Sequence, residues 1–320
     1  MADYQMLTVV VSEIERVTPE IVCFTLIRPD GGPLPPFTGG SHIIVQMTQG
    51  ERQYSNAYSL MNDPADRRCY QIGVRLEADS RGGSRFMHQQ VAVGDRLLIS
   101  APQNMFALAD APGHLMIAGG IGITPFIAQG YELARRGQEF SLHYCYRNDD
   151  SGAFRDSLGQ PPFAGRVHEH CSSRGQRLDV PRLLADVDPH THIYCCGPAS
   201  LNTEVQQVAA ALGIQRERIH VEQFAIENKS GAAFTLALAR SGTTLTVGPD
   251  MTIIQAIENS KAAKVECLCR EGICGTCETT ILEGEADHRD QYLSEEERAA
   301  QKSLLICCSR ARGNKLVLDL

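Results

Sequence analysis

Near its C-terminus the chain reads CREGICGTC, which sets Cys269, Cys274 and Cys277 at C-x4-C-x2-C, and Cys307 follows in LLICCSR. This is the spacing of a plant-type [2Fe–2S] ligand set, in which one loop wraps three thiolates around two irons and a distant strand supplies the fourth. Gly272 and Gly275 suit such a loop, because a residue without a Cβ lets backbone amides approach sulfur closely. Zinc also takes four cysteines, but usually as two C-x2-C pairs, and only one such pair is present. A Rieske centre needs two histidines as ligands, and neither His288 nor any other histidine has the right offset from a cysteine. Cys308 alternates with Cys307 and is expected to face the other way, with an exchange of the two as ligand the alternative.

A chain of 320 residues exceeds one ordinary hydrophobic core, so two or three domains are expected. Twelve cysteines would suggest a disulfide scaffold in a short secreted chain. The start, MADYQMLTVV, lacks the basic stretch and apolar core of a signal peptide, so a reducing, cytoplasmic setting is expected. There Cys23, Cys69, Cys145 and Cys171 read as small apolar residues on strands. No apolar run approaches the roughly 20 residues of a membrane-spanning helix. A net charge of −8 offers no basic footprint for nucleic acid. The expected partners therefore include neither nucleic acid nor membrane, and the chain is expected to be a monomer.

Three kinds of patterning follow one another. Residues 5 to about 106 (QMLTVVVSEI, IVCFTLIR, HIIVQM, CYQIGVRL, DRLLIS) read as short strands between turn residues, fitting an antiparallel β-barrel with one short helix, SRFMHQQV, directly after RGGS. From about 113 to 224, strands and helices alternate, which implies an α/β domain with a parallel sheet and crossover helices. AIENKSG reads as a linker, and the remainder as a small α+β unit containing the cysteine loop. The expected boundaries are 1–107, 108–225, a linker at 226–231, and 232–320.

Two segments of the middle domain suggest a nucleotide. AGGIGITP lies between a strand and a helix, where Gly119, Gly120 and Gly122 would let a pyrophosphate approach the helix start. YCCGP occupies a second strand-to-helix turn at the same carboxyl edge, where ligands of such sheets bind. Cys196, Gly197 and Pro198 are candidates there, while Cys195 reads equally well as core.

Together these segments resemble the phthalate dioxygenase reductase type of family, which includes vanillate demethylase reductase-like proteins. YSLMNDP, RGGS, AGGIGITP, YCCGP, HVEQF, the cysteine loop, EADHRD and SRA occur in that family's order along essentially the whole chain. The resemblance implies a multidomain protein: an FMN-binding antiparallel β-barrel, an NAD-binding α/β domain and a β-grasp ferredoxin domain. It implies an enzyme that passes electrons from NAD(P)H through FMN and the [2Fe–2S] cluster to a terminal Rieske-type oxygenase, a dioxygenase or demethylating monooxygenase of aromatic catabolism. A hydride brings two electrons and the cluster accepts one, so a flavin is needed between them.

Carried over by position, Asn56, Ala57, Tyr58 and Ser59 would hold the flavin, and Gly73, Val74 and Arg75 would run beside its ring. Arg81, Gly82, Gly83 and Ser84 would bind its phosphate. Thr124 would lie near flavin and nicotinamide, Cys196 beside the nicotinamide, and Phe224 over the ring, with ordinary packing the alternative for Phe224. The family usually has Arg two residues before the Tyr-Ser pair. RQYSNAYSL allows Arg52 with Tyr54-Ser55, or Asn56 with Tyr58-Ser59, and the second register keeps the distance to RGGS. Asn56 then replaces a charge, a weakening of about 1 to 3 kcal/mol unless Arg52 or Arg85 compensates. NADH is the family norm, although Ser172, Ser173 and Arg174 are candidates to hold a 2′-phosphate. The alternatives are a reductase for another acceptor and a redox-sensing iron–sulfur binding module. EGEADHRDQYLSEEER reads as solvated surface and helix face, with docking of a basic oxygenase surface as the functional reading.

Overall fold

Along the first strand of the chain Val9 and Val11 are buried while Thr8 and Ser12 face solvent, the period-two pattern of a sheet with one covered face. The computed structural model describes residues 5–50, 52–77, 82–224 and 230–320, apart from the side chains of Gln49 and Arg52. The N-terminal strands are β1 (Met6–Arg16), β2 (Ile21–Ile27), β3 (Ser41–Gln49), β4 (Arg52–Ser59), β5 (Tyr70–Arg75), β6 (Arg96–Ser100) and β7 (Gln103–Asn104), with helix α1 (Gly83–Gln89) between β5 and β6. They pair antiparallel in the order β4-β3-β6-β1-β2-β5, with β7 on β3. A bridge from Leu60 to Ile72 brings the end of β4 to β5 and nearly closes the barrel around Val9, Phe24, Val45, Ile72 and Ile99. Sequence reading missed β4. RQYSNAYS has no apolar alternation, and its conformation comes from pairing with β3 over its whole length.

The middle sheet is wholly parallel and follows the expected alternation. Its strands are β8 (Gly113–Gly119), β9 (Glu139–Tyr146), β10 (Val167–Cys171), β11 (Thr191–Cys196) and β12 (Ile219–Glu222), and its helices α2 (Thr124–Arg136), α3 (Arg155–Leu158), α4 (Val180–Ala185) and α5 (Ala199–Ala211). The order is β10-β9-β8-β11-β12, so the chain builds outward from β8 in one direction and then returns to build from β11 in the other. A switch point thus lies between β8 and β11, and ligands of such sheets bind in the crevice there. Helix α4, also missed, has only six residues, and its start is capped by the Asp179 carboxylate.

The C-terminal unit contains β13 (Phe234–Leu238), β14 (Thr243–Val247), α6 (Ile253–Ser260), β15 (Glu278–Glu283), β16 (Ala286–Asp287), α7 (Glu295–Ala300), β17 (Ser303–Leu305), β18 (Arg310–Ala311) and β19 (Lys315–Leu318). Its mixed sheet runs β14-β13-β19-β15-β17, with β13 and β19 parallel. Ile253, Ile254 and Ile257 of α6 belong to its core, and Thr252 with Gln255 forms the helix's capping box. Arg310 is buried and donates to the carbonyls of Ala232, Gly248 and Met251, pinning three loops with one guanidinium.

Barrel and parallel sheet, separable in sequence pattern, form one compact unit, Gln5–Phe224; the C-terminal residues form the other. The two sheets of the first unit meet where Gly39 and Gly40 pass α2. A Cβ on Gly39 would lie 2.6 Å from the Gln129 Cα, and one on Gly40 2.1 Å from the Phe106 carbonyl oxygen. Gln129 donates to that same carbonyl at 2.7 Å, and the Gly39 N–H donates to the buried Glu132 carboxylate. Gly40 also has φ +90°, so Gly40→Ala meets both backbone strain and a backbone clash. It should destabilise this unit by about 2 to 4 kcal/mol, seen as an earlier urea midpoint in far-UV circular dichroism.

Candidate functional site

The turns after β8 and β11 lock together at the switch point. A Cβ on Gly122 would lie 2.2 Å from the Cys196 carbonyl oxygen, one on Gly119 2.7 Å from Pro198 Cδ, and one on Gly197 3.0 Å from the Gly119 Cα. Gly119, Gly122 and Gly197 therefore allow the two turns to touch. Gly120 differs, with φ +55° and no atom within 4 Å of where its Cβ would be. A 3₁₀ turn over Gly120–Ile123 delays α2 until Thr124, with Pro125 in its first turn.

A cleft of about 370 Å³ opens over this edge. Gly119, Gly120, Ile121 and Pro198 line it from the locked turns, and Arg75 reaches it from the barrel. Gly122, Thr124, Cys196 and Gly197 lie outside that lining. Of the residues weighed for a 2′-phosphate, Ser172 lines the cleft. The Ser173 hydroxyl lies 3.3 Å from Cys171 Sγ, and the Arg174 guanidinium donates twice to Asp149 at 2.6 and 2.8 Å. Arg147 and Arg177, which sequence reading missed, line the cleft instead. Neither belongs to a motif; the fold brings them together from different loops.

Thr124 is buried, and its Oγ1 donates to the Ile121 carbonyl at 3.1 Å. Its methyl faces Gly73 of β5: a Cβ there would lie 3.0 Å from Thr124 Cγ2 and 3.1 Å from the Phe154 ring. The flavin strand expected from the resemblance thus abuts the start of α2, with Phe154, at φ 61°, as a further wall. Val74 points into the barrel core and offers only backbone, its carbonyl oxygen 2.9 Å from His88 Nε2. Arg75 reaches Glu20 at 3.6 Å and Glu77 at 3.7 Å.

Asn56 of β4 faces the start of α1, where a Cβ on Gly83 would lie 2.1 Å from its Oδ1. Tyr54, two residues earlier on the same strand, covers Gly82, whose Cβ would lie 2.4 Å from the ring. Asn56 and Tyr58 therefore stand one and two steps along from Tyr54 on one face, while Ala57 and Ser59 point the other way. The Ser84 hydroxyl accepts from the Glu77 N–H at 3.2 Å, tying α1 to the end of β5. Arg85 is exposed, and Arg81 lies outside the described residues.

Behind the β11 turn, Cys196 Sγ lies 3.8 Å from Glu222 Oε2 at the end of β12. Burial pushes the Glu222 carboxyl up to about 8, and burial followed by the Glu222 charge pushes the Cys196 thiol up. Asn202 donates to the Glu222 carbonyl at 3.1 Å and accepts from the Cys195 thiol at 3.2 Å, so Cys195 is core. Glu222 was missed; HVEQF was read only as a strand and a family marker. Phe224, two residues on, is 37% exposed.

In the C-terminal unit all four expected ligands are buried, and they fall into two pairs. The Cys269 N–H donates to Cys274 Sγ at 3.4 Å, and the Glu271 N–H donates to Cys269 Sγ at 3.4 Å. Arg270, Gly272 and Gly275 all have φ between 59° and 72°, which turns the loop around the sulfurs. A Cβ on Gly275 would strike the Tyr292 ring at 2.3 Å. The Cys277 and Cys307 thiols lie within 4.8 Å of each other, and Cys267, unforeseen in the sequence, is within the same distance of both. Cys308 instead points to the Leu305 carbonyl at 3.7 Å. Hydrogen bonding within the first pair raises Cys269 and draws Cys274 down to about 6, with Thr276 and backbone N–H groups assisting. Buried thiols so paired resist becoming four thiolates together, and bound cations remove that obstacle. The donor set and its N–H···S bonds fit a [2Fe–2S] cluster.

Residues 236–312 match the 2Fe-2S iron-sulfur cluster binding domain family. The chain is 63% identical over 321 residues to a carnitine monooxygenase reductase subunit of Escherichia coli, covering 100% of both chains. It is 38% identical to a vanillate O-demethylase oxidoreductase of a Pseudomonas species, covering 98% of this chain and all of that one. Among solved structures, phthalate dioxygenase reductase superposes with a TM-score of 0.78 at 32% identity over 98% of each chain. Fold and site define an iron–sulfur oxidoreductase of modular build. The chain belongs to the phthalate dioxygenase reductase type of family.

Glu222 holds its proton in the folded protein up to about pH 8, whereas the unfolded chain loses it near 4.5. The folded state thus binds more protons in that window, and this carboxyl makes stability fall as pH rises through it and level off above. Glu222→Gln should remove that part of the slope, measured as urea midpoints from about pH 5 to about pH 8.5, which runs from just above the unfolded value to just past the shifted one.

Proposed function

We propose that this chain is the reductase component of a Rieske-type oxygenase system that attacks carnitine, and that it draws electrons from NADH through FMN and a [2Fe–2S] cluster. The end-to-end identity with a carnitine monooxygenase reductase subunit carries the reading. When bound, the flavin takes up the nucleotide's electron pair and the cluster hands electrons on one at a time.

In this reading the chain's own residues receive and orient those groups. The FMN ring lies along β4 and β5, against Tyr58, the Ser59 backbone, Gly73, the Val74 backbone and Arg75, and the phosphate is received by Gly82, Gly83 and Ser84 with Asn56 beside them. NADH enters the cleft over Gly119, Gly120 and Pro198, while Thr124 and Phe154 hold the barrel strand against that edge and Phe224 provides an apolar cover. The Asp149 carboxylate bound to Arg174 supports NADH over a nucleotide with an added phosphate, since it neutralises one guanidinium beside the cleft. Cys269 with Cys274, and Cys277 with Cys307, each hold one iron. Glu295, Glu296 and Glu297 open α7, whose residues are none of them buried, and support docking of a basic oxygenase surface near the cluster in sequence. Among the described residues no helix is long and apolar enough to cross a membrane; a cytoplasmic location belongs to the proposal.

Three measurements test it. Gly83→Ala drives a methyl into the Asn56 amide and should raise the FMN dissociation constant about ten- to a hundredfold, or about 1.4 to 2.8 kcal/mol, read by flavin fluorescence quenching. Combined with a carnitine monooxygenase oxygenase component, the protein should support carnitine-dependent NADH oxidation. Cys274→Ser should cut that rate and cytochrome c reduction about a hundredfold, while ferricyanide reduction persists. Unchanged cytochrome c reduction in that variant removes the cluster from the path, and no carnitine dependence removes the assigned acceptor.

A further inference from the structure

The cysteine site holds one thiol more than a [2Fe–2S] cluster uses. Cys267 is half-buried, packs against the same core as Cys277 and Cys307, and brings its sulfur within 4.8 Å of both of theirs. Two thiolates on one tetrahedral metal, each about 2.3 Å from it, sit about 3.8 Å apart, so this set needs only small side-chain movements to serve a single ion. Cys267 is two residues from Cys269 in sequence, yet its sulfur is grouped with the other pair. The cysteine that neighbours a ligand in sequence, Cys308, turns instead to the Leu305 carbonyl.

We propose that Cys267 is a reserve ligand to the iron held by Cys277 and Cys307, able to take the place of at least one of them. This rests on the cluster reading above. In the native chain the exchange balances: the Cys267 S–H bond breaks and its sulfur bonds the iron, while the iron–sulfur bond to the departing cysteine breaks and that thiolate takes up the proton; where that cysteine is absent, the proton goes to water. No electron is gained or lost. Cys269 and Cys274 have no such substitute within reach among the described residues, so the two irons differ in how readily each loses its place.

The full-length protein and its Cys307→Ala, Cys277→Ala, Cys267→Ala/Cys307→Ala and Cys267→Ala/Cys277→Ala variants would be reconstituted anaerobically with ferrous iron and sulfide. Bound iron, bound sulfide, visible absorption and the EPR signal after dithionite reduction are the readouts, with circular dichroism for folding. At least one single variant should keep about half or more of the wild-type iron, with a [2Fe–2S] spectrum and shifted g-values. Its double variant should fall about tenfold or more below it. If both single variants hold no more iron than their doubles, Cys267 is not a reserve ligand. Wild-type protein that binds no iron and sulfide would overturn the underlying cluster reading as well, a failure distinguishable from the first.

Discussion

The close approach of the backbone at Gly39, Gly40 and Gly73 to neighbouring segments is the constraint on which the N-terminal unit depends. At these positions a single methyl would fall within 2.1 to 3.0 Å of α2, Phe106 or Thr124. Because it is absent, a barrel strand and the carboxyl edge of a parallel sheet share one wall, and the two sheets behave as one compact unit. Buried polar groups then bind the seam, with Gln129 and Glu132 satisfying backbone that the close approach removes from water. Dense packing leaves such a seam little freedom, which suits a reaction whose partners must be held in near contact.

In the C-terminal unit the governing cost is electrostatic. Four buried sulfurs resist becoming thiolates together without cations, and the loop lowers that cost with N–H donors made available by left-handed residues at Arg270, Gly272 and Gly275. Around it the EADHRD and SRA segments serve the scaffold. Asp290 accepts from the Leu293 N–H, Ser309 accepts from the Arg289 N–H, and Arg310 holds three carbonyls. Motif order alone cannot separate such supports from ligands, since both are demanded by the same geometry.

Legibility in the sequence followed the range of the interactions involved. Strands with alternating apolar residues, the βα alternation and the capped α6 were readable because their signals are local. β4 was not, since its polar and aromatic residues become a strand only by pairing with β3. The glycines of AGGIGITP and YCCGP lie at one edge; what the spacing does not show is that Gly119, Gly122 and Gly197 make room for protein there, whereas Gly120 is open. Arg147 and Arg177 reach the cleft from loops with no motif, and Glu222 acquires its raised pKa only from burial beside Cys196.

By itself the sequence determined the chemistry available: three cysteines at a spacing that a short loop must turn into a ligand set, with a fourth downstream, and two glycine-bearing turns that a parallel sheet must place at its carboxyl edge. Both follow from local chain geometry, which residue spacing encodes directly. Tertiary structure alone decided that those ligands form two pairs with Cys267 beside one of them, that Asn56 faces the start of α1, and that the barrel closes on α2. Those are contacts between distant segments, set by which side chains can pack without a clash, and spacing along the chain carries no record of them.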